Sequence, residues 1–313
     1  EHHLKGNMEN HTRVTEFILI GFKSHLGSQL LLSVLFSTMC IVTVVGNACM
    51  IHIIRMESKL HTPMYFFVEN LSILDICYSS VFTPKAALTF SLGRRIISYN
   101  GCASQMFFFS LFGTTEAFFL AVMAYDRFTA ICNPLLYGII MNKRLCVFMV
   151  VGSYLSGCIN CTIQTGFTFS LSFCGPKEIN HFFCDVPAVM HASCSDTLVN
   201  EIVMLAVCGS IIVGTALLVF ISCVYIIITI VQMPSAESRR KAFSTCSSHM
   251  LAVSLFFGAV FFMYAQPGAI SSPDKSNTIS ILYTIVILVL NPFIYTFQNK
   301  EVKGSLKKQL ERK

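Results

Sequence analysis

The sequence predicts an all-α membrane protein: a seven-transmembrane helix bundle with a short C-terminal amphipathic helix. Three observations carry that prediction. Hydrophobic residues make up 54% of the 313-residue chain and charged residues only 12%, with a mean hydropathy of +0.66. Soluble domains carry roughly 25% charged residues, so a globule of this composition would be poorly soluble. The apolar residues also gather into runs of the roughly 20 residues that a bilayer-spanning helix needs. Finally, Lys and Arg are shared unequally between alternate connections, as in a chain that crosses a membrane repeatedly.

Taken in order, the chain opens on a polar segment, EHHLKGNMENHTRVTEF, with no apolar stretch of the kind a cleavable signal peptide needs. The first span is expected to serve as the signal instead. Met8 reads as a natural start, with residues 1–7 a remnant before it. Seven spans follow, at about 27–54, 63–90, 99–127, 144–166, 199–231, 241–265 and 277–298. They must be helices, because open backbone in hydrocarbon leaves donors and acceptors unmet. The third, sixth and seventh spans are the weakest by hydropathy. Residues 1–26 form an extracellular segment, 27–298 the helical domain and 299–313 a cytoplasmic tail. In the tail, Lys300, Lys303, Lys307 and Lys308 with Leu306 and Leu310 form an amphipathic pattern suited to a lipid surface.

One set of connections holds Arg55, Lys59, Lys143, Arg144, Arg239, Arg240 and Lys241, and the tail adds six more basic residues. The opposite set, with Lys5, Arg13, Lys23, Arg94, Arg95, Lys177 and Lys275, is poorer. The tail is therefore expected in the cytoplasm and the N-terminus outside. Asn10-His11-Thr12 is a glycosylation sequon on the predicted outer side, whereas the sequons at Asn70 and Asn160 fall inside spans and should be silent. The net charge of +6 is modest and gives no reason to expect a nucleic-acid partner. Of fourteen cysteines most lie in apolar runs as small core residues. Cys102, Cys174, Cys184 and Cys194 lie on the predicted outer face, where two disulfides are expected and three pairings are open.

Other function classes are disfavoured. A transporter would show inverted repeats and broken helices near the midplane, and no internal repeat is visible. No span carries metal ligands at i, i+4 or a nucleophile with a base, so no enzyme is expected. His181, Cys184, Asp185 and His191 have ligand chemistry, but disulfide bonding of the cysteines would leave few soft ligands, and no metal centre is expected there.

Several motifs together carry a family resemblance: Gly46-Asn47, LHTPMYFF at 60–67, LSILD at 71–75, MAYDRFTAIC at 123–132, KAFSTCSSHM at 241–250 and NPFIY at 291–295. In this order and on these spans the chain resembles the olfactory (odorant) receptors, a branch of the rhodopsin-like G-protein-coupled receptors, and within them the tetrapod class II division. The resemblance runs from TEFILIGF at 15–22 to the tail. It implies a plasma-membrane receptor that binds a small volatile odorant in a cavity open to the outside. The partner implied is a stimulatory, olfactory-type heterotrimeric G protein, with cyclic AMP as the output. A receptor of the same family working outside the nose is the alternative. The implied disulfides are Cys102 with Cys184 and Cys174 with Cys194.

The resemblance also assigns roles. Arg127 ends the third span, where a guanidinium can pair or snorkel; at mid-bilayer it would cost several kcal/mol. In receptors with this motif the adjacent acid, here Asp126, restrains the arginine at rest, and activation turns the arginine toward the G protein. The other reading is an interfacial charge pair that only anchors the helix. Lys241 joins Arg127 at the G-protein face. Asn291, Pro292 and Tyr295 form the inner part of the seventh span, where proline permits a hinge. Asn47, Asp75 and Glu116 are polar residues in three apolar spans, costly unless they converge. The family fold gathers them near Asn291, as a dry polar knot or around a sodium ion or a shared proton. No other cofactor is implied.

Helical spacing marks candidate ligand-binding residues. Phe257, Val260, Phe261 and Tyr264 share one face of the sixth span, and Ser110, Gly113 and Thr114 share one of the third, joined by Phe109. Val207 and Ile211 in the fifth span and Ile281 and Thr284 in the seventh face similarly, and the resemblance places all four faces around the cavity. The expected lining is apolar with a few hydroxyls and without Asp, Lys or Arg, which suits a neutral ligand. Three positions depart from the family pattern. Ser222-Cys223 replaces Ser-Tyr, Phe257 replaces a tyrosine, and Ala265-Gln266 replaces Leu-Arg at the outer rim.

Overall fold

The computed structural model describes residues 14–21, 26–92, 95–174, 178–265 and Gly304. Six long helices account for most of them: α1 (Leu26–Met56), α2 (Pro63–Leu92), α3 (Tyr99–Cys132), α5 (Lys143–Phe169), α7 (Leu198–Gln232) and α8 (Ala236–Ala265). Two short helices, α4 (Tyr137–Ile140) and α6 (Val186–His191), lie in the connections. Each long helix matches one of the first six predicted spans. The seventh span, the tail helix and the N-terminal residues before Val14 lie outside the described residues.

Local chemistry sets several of the helix starts. Ser98 Oγ accepts from the Gly101 N–H at 3.1 Å and caps α3. Asn142 Oδ1 accepts from the Leu145 N–H at 3.0 Å and caps α5. Each meets a donor that the first helical turn leaves free. α2 opens on Pro63, at a position where a missing N–H costs nothing.

Among the described residues four helices, α1, α3, α5 and α7, are individually long and apolar enough to cross a membrane. Hydropathy alone thus passes α3, against expectation, is weak at α8, as expected, where only the bent pair Ala236–Ser244 and His249–Phe261 qualifies, and misses α2. α2 carries Glu69, Asp75 and Lys85, yet it packs between α1 and α3, and Asp75 is fully buried there. Side chains such as Leu31, Val34 and Ile41 on α1 and Phe220 and Val231 on α7 are exposed and apolar. In water such a surface would drive aggregation; in a bilayer it meets lipid.

α3 packs against α2, α5, α7 and α8. Gly157 lets α5 approach it closely: a Cβ there would lie 2.9 Å from the Leu111 carbonyl oxygen and collide with Thr115 Oγ1.

The end where α3 begins carries a small sheet that hydropathy did not foretell. β1 (Glu16–Leu19) pairs antiparallel with β2 (Ile96–Ser98) and parallel with β3 (Glu178–Ile179), in the order β2-β1-β3. Alternation places Phe17 and Leu19 inside and Glu16 and Ile18 outside. Two disulfides hold this end together: Cys102–Cys184, with Cα atoms 5.5 Å apart, and Cys174–Cys194, at 5.9 Å. The segment between β3 and α6 turns inward, so that His181, Phe182, Phe183 and Cys184 are all buried. The Cys184 N–H donates to Gln105 Oε1 at 3.0 Å.

Candidate functional site: a cavity and a charged lock at opposite ends of α3

Below the disulfide-linked cap, α3, α5, α7 and α8 enclose a cavity of about 90 Å³. Phe109, Ser110, Gly113, Thr114 and Ala117 form the α3 wall, and Met204, Cys208, Ile211 and Ile212 the α7 wall. Phe256 and Val260 come from α8, and Asp185, Val186 and Pro187 form the roof.

One pole of the cavity is polar. Asn160 of α5 donates to Thr114 Oγ1 at 2.8 Å, while its own Oδ1 accepts from Gln164 Nε2 at 3.4 Å and from Cys208 Sγ at 3.7 Å. Asn160 and Gln164 are buried. An amide among apolar walls is stable only with its partners satisfied, and here three helices meet on it.

Two titratable groups lie in the roof and in the buried segment leading to it. Asp185 Oδ1 caps α6 by accepting from the Val186 N–H at 2.9 Å. Burial raises its carboxyl to about 6, against the opposing pull of that hydrogen bond. His181 stacks on Phe182 with ring centroids 4.9 Å apart, and its Nδ1 lies 3.2 Å from the Phe183 carbonyl oxygen. Burial lowers its pKa to about 4, so the ring is neutral at pH 7. Cys184 is committed to its disulfide and offers no thiolate to a metal.

At the other end of α3, Asp126 is fully buried and works in two directions. Its Oδ2 accepts from Arg127 Nη2 at 2.7 Å and from Nε at 3.1 Å, a two-point grip on the guanidinium. Its Oδ1 accepts from the Tyr137 hydroxyl of α4 at 2.8 Å. Nearby, Cys132 Sγ and Thr229 Oγ1 lie 3.2 Å apart and bridge α3 to α7. Cys246 of α8 packs with Ile226 and Ile230 of α7 and Phe128 of α3.

Asn47, Asp75 and Glu116 are each at most 1% exposed. Asn47 donates to the Thr43 carbonyl at 3.0 Å within its own helix. Asp75 of α2 and Glu116 of α3 are thus buried carboxyl side chains on helices that pack together.

This fold is shared with squid rhodopsin, whose crystal structure superposes with a TM-score of 0.70 over 93% of this chain and 87% of that one, at 17% identity. A sequence-family profile described as "Olfactory receptor" matches residues 36–313. Olfactory receptor OR9H1 of Homo sapiens is 53% identical over 97% of this chain and 99% of its own length. Olfactory receptor 9S13 of Mus musculus is 49% identical over 93% and 88%, and olfactory receptor 5G9 of Mus musculus 47% over 95% of each. The chain belongs to the olfactory receptor family.

In this olfactory receptor the cavity takes in Phe109, Ser110, Gly113, Thr114, Ile211 and Val260, all named from helical spacing. Three others fall differently. Phe261 is 70% exposed and faces away from the bundle. Phe257 packs edge-on against Phe256 at 5.2 Å, and Phe256 lines the cavity in its place. Val207 stands beside the lining, where Met204 and Cys208 occupy the wall. On α8 the cavity thus takes Val260 of the expected stripe, with Phe256 in place of Phe257 and Phe261. The expectation of no acidic residue is also corrected, since Asp185 belongs to the roof.

The backbones of Lys241 and Tyr264 lie in α8. Asn10, Ile281, Thr284, Asn291, Pro292 and Tyr295 lie outside the described residues. The structure also places at the cavity and beside Asp126 two residues that spacing does not single out, Asn160 and Tyr137. In the sequence Asn160 marks only a silent sequon, and nothing singles out Tyr137. A polar amide in the middle of an apolar span was the one available signal for Asn160.

Proposed function

We propose that this receptor binds a small, neutral volatile odorant in the cavity between α3, α5, α7 and α8 and activates a stimulatory, olfactory-type heterotrimeric G protein at the Arg127 end, raising cyclic AMP. The observation that carries this reading is the polar pole at Thr114 and Asn160 in a cavity whose walls are mostly apolar, with Asp185 in the roof. Such a site holds a ligand by dispersion and one or two hydrogen bonds. Family membership supports both the ligand class and the G-protein partner.

The receptor lies in the plasma membrane with the cap outside and Arg127 inside. Disulfides at the cap suit an oxidising compartment, and the exposed Arg55, Lys143, Arg144, Arg239 and Arg240 cluster toward the other end. Asp126 restrains Arg127 at rest, and release of that grip exposes the guanidinium to the G protein. A sodium ion or a shared proton at Asp75 and Glu116 biases the switch.

Asp185 favours a second reading of the ligand class, a protonated amine. The neutral reading is preferred because the α6 N-terminus already answers that carboxylate. A cyclic-AMP screen of volatiles in transfected cells tests both readings. Neutral agonists indifferent to Asp185→Asn support the first; amine agonists abolished by Asp185→Asn support the second.

A further inference from the structure

The cavity has a neighbour. On the lipid-facing side of the bundle, α3, α5 and α7 border an open cleft of about 460 Å³, walled by Phe118, Val122, Met149, Gly214 and Leu218 among others. Its lining holds no charged residue. Ser210, Gly214 and Leu218 are exposed there.

Ile211 lines both the cleft and the cavity. On α3 the cavity reaches Thr114 and Ala117, and the cleft takes over at Phe118. On α7 the cavity extends to Ile211 and Ile212, and the cleft continues at Thr215 and Leu218. These steps follow one helical face. Cavity and cleft are therefore successive stretches of one seam between α3 and α7, parted where Ile211 stands. Toward the cap, in contrast, Asp185 to Pro187 roof the cavity beneath the buried segment from His181 to Cys184.

We propose that Ile211 gates a lateral route from the bilayer, along which a small neutral apolar ligand passes from the cleft into the cavity. This rests on the cavity being the ligand site. An apolar volatile partitions from water into hydrocarbon, so the cleft meets it at a higher concentration than the roof does. The cleft is roomier than the cavity, and rotation of one side chain joins them. The same route excludes ions, because an ionised amine or carboxylate would have to shed its water in the hydrocarbon before reaching Ile211.

The test is timed photolabelling of the intact receptor in phosphatidylcholine nanodiscs with a diazirine-bearing octanol. Gly214→Phe fills the cleft from a position where a Cβ meets nothing within 4 Å. Ser210→Phe fills it from an exposed position on the same helix, and Gly214→Ala is the control. In the unmodified receptor, adducts on Met149 or Leu218 precede adducts on Met204 in the cavity. Either phenylalanine slows labelling of Met204 roughly tenfold or more, while the long-time yield is kept. Gly214→Ala keeps the original rate. Unchanged Met204 rates in both filled variants overturn the route, as does a cleft that is never labelled because a bilayer lipid holds it. A labelled cleft with Met204 unlabelled at all times removes the cavity as ligand site, and the route falls with it.

Discussion

The Tyr137 hydroxyl donates to Asp126 Oδ1 at 2.8 Å while Arg127 holds Oδ2 at 2.7 Å, so one buried carboxylate joins the end of α3 to the loop helix α4. Burial, and after it the Asp126 charge, push the Tyr137 phenol above its usual range, so it remains a donor at every physiological pH. A hydrogen bond to a charged partner contributes about 1.5–3 kcal/mol. Tyr137→Phe should therefore loosen the resting state and raise basal cyclic AMP, through a shift of roughly tenfold or more in the balance of states. Basal output equal to that of the unmodified receptor, at matched surface expression, would remove Tyr137 from the restraint.

The cap should show two opposed pH dependences. The Asp185 carboxyl sits near 6 in the fold against an ordinary 3.8, so as pH falls through 6 the folded state takes up a proton before the unfolded chain does, and stability rises. His181 sits near 4 against an ordinary 6.5, so below 6.5 the unfolded chain takes up the proton and stability falls. Thermal unfolding of the purified receptor between pH 6.5 and 4.5 should be nearly flat. Asp185→Asn should make it fall with acid, and His181→Leu should make it rise. Parallel profiles for all three proteins would contradict both assignments.

Gly157 should not tolerate a side chain. A Cβ there meets the Leu111 carbonyl at 2.9 Å, and overpacking of a tight helix contact costs about 1–3 kcal/mol. Gly157→Val should lower the unfolding temperature and surface expression. Gly152→Ala, on the same helix with nothing within 4 Å of its Cβ, should change neither.

Asp75 and Glu116 are buried carboxyl side chains on adjacent helices, and two ionised groups there would need a cation. Sodium chloride should raise the unfolding temperature more than choline chloride, and Asp75→Asn should abolish the difference. Equal temperatures in the two salts would favour the shared proton.

The six long helices among the described residues were legible in the sequence, α1, α3, α5 and α7 from length and apolarity alone. α7, expected at 199–231, runs over Leu198–Gln232. The sheet was not, because strands of two to four residues leave almost no pattern, and only Phe17 and Leu19 mark β1. On α8 Val260 was placed at the cavity but Phe257 and Phe261 were not, because apolar residues surround most of this helix and Ser254 is the single polar side chain marking its outer side between Leu251 and Phe261. Asp185 was read as metal chemistry in a loop, and only the inward turn after β3 makes it part of the cavity roof. Ser110, Gly113 and Thr114 fared better, since they interrupt an apolar helix at a spacing that marks one face.

The central claim is that ligand in the cavity drives the receptor, and the most direct measurement is the cyclic-AMP concentration–response curve to the most effective neutral volatile. It should be compared between the unmodified receptor and Thr114→Val with Asn160→Leu, at matched surface expression. Loss of the polar pole removes hydrogen bonds contributing about 1 kcal/mol each, so the curve should move to roughly tenfold or greater concentrations. Superimposable curves would contradict the claim. So would a carboxylic acid as the best agonist, with full response in Thr114→Ala and Tyr264→Phe.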